Sequence, residues 1–118
     1  MTCTLKQKLL VPFILILLSA CQVLTPQPKT TEQAAFVYSA RYEALQEEVI
    51  KYLAKPNCTG MVVVNCRKAE LVAPLQKATS EASLVVTESA KLARDGLAYD
   101  KQRVSEVLAT IAEILAKG

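Results

Sequence analysis

The chemistry open to this chain starts with its four cysteines, at positions 3, 21, 58 and 66, and with the complete lack of histidine. A thiol can serve as nucleophile, metal ligand, redox partner or half of a disulfide. Cys58 and Cys66 enclose seven residues, whereas redox pairs favour Cys-x-x-Cys. A structural zinc site needs four ligands, and no histidine is present to join these two. A structural disulfide fits the pair best. It would close a nine-residue loop, a constraint that contributes about 2.5 kcal/mol through the lost entropy of the unfolded chain. The loop holds four consecutive apolar residues, Met61, Val62, Val63 and Val64. They either tuck under the ends of the flanking helices or form an exposed patch that docks a partner or a lipid surface. Tucking in is the favoured expectation.

Other catalytic machinery is missing. Ser-His-Asp and Cys-His arrangements need a histidine, although a lysine base could replace it in principle. Gly60, Gly96 and Gly118 stand too far apart to form a phosphate-cradling loop. Glu47 and Glu48 are adjacent, hence on different sides of a helix, and read as solvated. The expectation is a protein that is not an enzyme and uses neither cofactor nor metal.

An oxidised cysteine pair requires an oxidising compartment, and the start of the chain supplies the route. Lys6 and Lys8 precede a ten-residue apolar run at 9–18 (LLVPFILILL), followed by the small residues Ser19 and Ala20. A basic start, a short apolar core and a small-residue exit describe an export signal. The run is about half the roughly 20 residues that a membrane-spanning helix needs. The next residue is Cys21, and Leu18-Ser19-Ala20-Cys21 resembles the lipobox of bacterial lipoproteins at all four positions. The resemblance implies cleavage between Ala20 and Cys21, a diacylglycerol on the Cys21 sulfur and acylation of the new amino terminus. One acyl chain holds a protein only marginally, whereas two or more anchor it stably. In this class an aspartate after the cysteine often marks retention in the inner membrane. Gln22 stands there instead, which by resemblance favours the inner leaflet of the outer membrane. The likeness covers only residues 1–22.

Of 118 residues, removal of 1–20 leaves 98, enough for one small domain. Without Lys6 and Lys8 there are 12 basic against 11 acidic residues, a net charge of +1. Nucleic-acid binding demands a positive footprint, so it is excluded as a partner. Three glycines, no tryptophan and abundant alanine and leucine make a helical composition. Residues 21–31 read as the lipidated cysteine and a Pro/Thr tether, extended by Pro26 and Pro28 over roughly 30 Å at ~3.1 Å per residue.

Residues 32–118 read as the domain. Thr30 or Thr31 caps a first helix running to about Lys55. Tyr38, Tyr42, Leu45, Val49 and Tyr52 form its core stripe, widened by Ala34, Ala35, Ile50 and Leu53. The tyrosine hydroxyls are expected at the solvent edge. Asn65 caps a second helix from near Cys66, kinked or restarted between Glu70 and Pro74 and ended by Gly96. Leu71, Leu75, Ala78, Ala82, Val85 and Leu92 mark its inner face. Asp100 caps a third helix over 101–117, with Tyr99 and Val104 placed as a hydrophobic staple and Val104, Val107, Leu108, Ile111, Ile114 and Leu115 inward. The fold class expected is all-α: a small antiparallel three-helix bundle with one disulfide-closed loop.

The function expected is that of a membrane-anchored lipoprotein facing the periplasm, acting as a structural or protein-interaction module of the cell envelope. Its partner would be an envelope protein, met through the outer face of the bundle or the loop, and homo-oligomers are allowed. Short helical lipoproteins of this kind also occur as lysis or exclusion factors of phages and mobile elements. Two alternatives stand beside it: a carrier of a small apolar ligand or lipid, with a cavity lined by the tyrosine stripe, or an inhibitor of a periplasmic enzyme acting through the disulfide loop.

Overall fold

The structure is a computed structural model that describes residues 28, 30–61 and 64–118. The leader, the Leu18-Ser19-Ala20-Cys21 motif, most of the tether, and Val62 and Val63 lie outside the described residues. Three helices follow in order: α1, Thr31–Leu53; α2, Ala69–Arg94; α3, Lys101–Ala116. Each helix packs on both others, and contacts at the helix ends fix their directions. The start of α2 meets the ends of α1 and α3, through Lys68 on Tyr52 and Lys68 on Lys117. Tyr99, just before α3, reaches Thr31 at the start of α1. The bundle therefore runs antiparallel, as expected.

The core is where the three apolar stripes converge. Leu75 of α2 and Val104, Leu108 and Ile111 of α3 are fully buried, packed with Tyr42, Val49 and Tyr52 of α1. The alanines at 78 and 82 are buried on the same face of α2, where a small side chain lets neighbouring helices approach. Ile50 departs from expectation. It is 68% exposed, because one residue past Val49 turns it about 100° away from the core.

The helix ends follow local chemistry. The Thr30 hydroxyl accepts from the Gln33 N–H at 3.1 Å, and the Asp100 carboxylate accepts from the Arg103 N–H at 3.0 Å. At the end of α2, the Leu97 N–H donates to Leu92 O at 2.8 Å and the Gly96 N–H to Ala93 O at 3.1 Å. This is a Schellman closure, and Gly96 takes its left-handed position with φ 71°. Tyr99 and Val104 both join the central cluster, as a staple requires.

The start of α2 corrects the expectation. Asn65 is not its cap. Asn65 sits at φ 53°, and Arg67 exchanges backbone hydrogen bonds with Pro56 and Cys58. These contacts hold 65–68 out of the helical region, so α2 begins only at Ala69, behind Lys68, whose side chain makes no cap bond. Pro74 does not restart the helix: α2 runs through it from Ala69 to Arg94. Its missing N–H leaves the Glu70 carbonyl without an intrahelical donor, and both residues are exposed, so water can take that place.

Candidate functional site

Of the residues singled out for chemistry, Cys58 and Cys66 lie at one pole of the bundle, where α1 ends and α2 begins, while Cys21 lies outside the described residues. Cys58 and Cys66 are bonded, with S–S 2.05 Å and Cα–Cα 4.9 Å. Cys66 is buried and Cys58 exposed. Beside the disulfide, Asn57 and Arg67 form an isolated parallel bridge, with Arg67 N–H to Pro56 O at 2.8 Å and Cys58 N–H to Arg67 O at 3.0 Å. The loop is thus closed twice, once through sulfur and once through backbone.

Two basic residues just after the disulfide tie the other helices to this pole. Arg67 donates from Nε to Asn57 Oδ1 at 2.7 Å, and from its guanidinium to the Leu53 carbonyl at the end of α1. Lys68 donates from Nζ to the Lys117 carbonyl at the end of α3. A cation at a helix C-terminus is favourable, since the last carbonyls carry the negative end of the helix dipole. The Lys68 backbone N–H donates in turn to the Tyr52 hydroxyl at 2.8 Å. Lys55 Nζ sits 5.4 Å from the centroid of the same ring, within cation–π range.

The tyrosine stripe is core, but its hydroxyls are not simply solvated. Tyr42 Oη donates to Thr79 O at 3.3 Å and accepts from Gln46 Nε2 at 2.9 Å, and Tyr52 serves α2 as described. Both hydroxyls are used to position neighbouring helices.

Of the four apolar loop residues, the two described, Met61 and Val64, do not tuck in. Met61 is 95% exposed and Val64 80% exposed. The physical reason lies in the base of the loop. The disulfide and the Asn57–Arg67 bridge pinch it shut, and Arg67, Lys68 and Tyr52 already cover the helix ends beneath.

The charge here is one-sided. Between Glu48 and Glu70 lie Lys51, Lys55, Arg67 and Lys68, and no acid. Lys51 pairs with Glu48 at 2.9 Å, and this hydrogen bond, aided by the Glu48 charge, raises its pKa. The contacts found for Lys55, Arg67 and Lys68 are with a ring, an amide and helix-end carbonyls, none of which is an ionised acid. Lys117 adds a fourth cation beside Lys68. Periodicity and spacing do not bring Arg67, Lys68 and Tyr52 together as a unit. The acid-free run around the loop was the available signal.

A second feature lies along the α1–α2 seam. An open groove of about 680 Å³ is bounded by Glu32, Phe36, Glu43 and Gln46 on one side and Thr87 and Arg94 on the other. Phe36 stands 75% exposed on its rim. Of the tyrosine stripe, only Tyr42 lines it.

Among the described residues no cluster of three or more His, Cys, Asp or Glu could hold a metal ion, and no helix is long and apolar enough to cross a membrane. No family model, curated protein or solved structure matches the chain.

Proposed function

We propose that this chain is a lipid-anchored module of the bacterial cell envelope, held through Cys21 and presenting the disulfide pole of its bundle for recognition. The observation that carries the reading is the placement of the two ends of α1. The tether enters at Thr30, and the disulfide loop follows Leu53. Twenty-three residues of helix separate them, or about 35 Å at 1.5 Å per residue. In this reading the anchored end and the presented end lie at opposite ends of α1. The short export signal and the Leu18-Ser19-Ala20-Cys21 motif support the anchor, and Gln22 supports the outer membrane over the inner. An oxidising destination agrees with the Cys58–Cys66 bond.

The test is metabolic labelling with palmitate. Cells expressing the chain should yield a labelled protein whose peptide mass begins at an acylated Cys21, and Cys21→Ser should abolish both label and cleavage. An unlabelled product at full translated mass overturns the anchor. Fractionation of the two membranes then reads which one retains it.

A further inference from the structure

We propose that the disulfide pole is a docking tip for an anionic lipid surface, distinct from the acyl anchor at the opposite pole. The inference draws on the proposed function only for the position of the anchor; the tip itself rests on described residues. Met61 and Val64 project from the pinched loop, 95% and 80% exposed. Beneath them, at the base of the loop, Arg67 and Lys68 bond the end carbonyls of α1 and α3, Lys55 lies over the Tyr52 ring, and Lys117, whose carbonyl Lys68 reaches, follows α3 at the same pole. The nearest acids in sequence are Glu48, which already pairs with Lys51, Glu70 in the first turn of α2, and Glu113, four residues before Lys117. An aliphatic tip above a cationic base has the complementarity of a bilayer interface. The apolar side chains enter the boundary of the acyl chains while long cationic side chains reach the phosphates above them.

A protein partner is the weaker match. Protein interfaces draw their energy from aromatic and arginine anchors set in shaped pockets, and are depleted in lysine. This tip has no aromatic residue on its outer surface, and three of its four cations are lysines. A fluid, negatively charged surface demands no fixed shape and rewards those residues. With the tether attached at the far pole, the bundle would span from its anchoring membrane to a second lipid surface.

The test uses the full chain in donor vesicles of phosphatidylcholine, with retention of the chain on the donors checked by flotation before acceptors are added. Fluorescent acceptor vesicles are offered in two compositions, phosphatidylcholine alone or mixed with phosphatidylglycerol. Capture of the anionic acceptors only, fading as salt rises, is the expected result. Met61→Ser with Val64→Ser should lower capture about tenfold. Lys55→Gln and Lys117→Gln should each lower it about fivefold. All four positions are at the surface or its edge, so unchanged thermal unfolding would show that the bundle persists. Equal capture of both compositions, no capture, or capture indifferent to the Met61/Val64 change overturns the tip. Mass analysis of the donor protein reads the anchor separately. Capture by an unacylated chain would sink the anchor and leave the tip, and an acylated chain that captures nothing does the reverse.

Discussion

Tyr52 shows how much one polar atom does in a small bundle. Its ring is buried in the core while its hydroxyl accepts the N–H of Lys68 at the start of α2. Tyr52→Phe keeps the ring and removes the acceptor, so urea unfolding should show a loss of about 1 kcal/mol. Amide exchange at Lys68 should quicken at the same time; unchanged exchange would show that this bond contributes nothing. Tyr99 makes a different prediction. Desolvation, and secondarily the neighbouring Tyr38, raises its pKa above the ordinary tyrosine value. The two rings meet edge to face at 6.5 Å, and Tyr99 Oη donates to Thr31 O at 3.3 Å. The folded state thus favours the neutral phenol. That preference is fully present below the unfolded pKa of about 10 and is lost as pH rises through the higher folded value. Thermal melts taken from pH 8 to 11 should fall less steeply for Tyr99→Phe than for the parent.

At the scale of elements, the connection between α1 and α2 is the part most dependent on covalent closure. Its described residues carry no regular structure beyond one backbone bridge, yet it must deliver Arg67 and Lys68 to the ends of two helices. Replacing Cys58 and Cys66 together with serine should cost about 2.5 kcal/mol by loop entropy. The loss should be read by calorimetry, and exchange protection should fall first at the last turns of α1 and α3. Uniform loss across the bundle would show that the disulfide constrains the unfolded chain without organising these ends. The helices themselves lean less on such devices. Thr30, Asp100 and Gly96 close three of the six helix ends with local hydrogen bonds alone.

For the whole molecule, one shared core joins the three helices, and hydrogen bonds from Tyr42, Tyr52, Tyr99, Arg67 and Lys68 fasten them at seam and ends. Among the described residues, the ion pairs Lys51–Glu48 and Lys77–Glu81 are exposed and lie within single helices, so they add little. Leu108 is fully buried where the three helices meet. Leu108→Ala should cost about 2–5 kcal/mol, a large share of the roughly 5–15 kcal/mol that holds a natural domain. Circular dichroism melts should show the loss as one cooperative transition shifted downward. Separate melting of α3 would contradict a single core.

Periodicity alone was enough to place the three helices, because a small bundle buries one stripe per helix and the stripes repeat every three or four residues. The caps at Thr30 and Asp100, the turn at Gly96 and the pairing of Cys58 with Cys66 were legible for the same reason: each is decided by residues a few positions apart. The proposed export signal and its Cys21 rest on local patterns alone, and the proposed destination draws nothing from the fold. What the sequence could not decide was which groups meet across the bundle. Arg67 and Lys68 look like ordinary surface cations until the antiparallel arrangement brings two helix ends to them. Asn65 looks like a helix cap until Arg67 pairs with the chain before the disulfide. Met61 and Val64 look like buried residues by hydropathy, and only the filled space beneath the loop turns them outward. Contacts between distant residues depend on what else occupies the volume, and packing is set by the three helices together, so that part belonged to the tertiary structure.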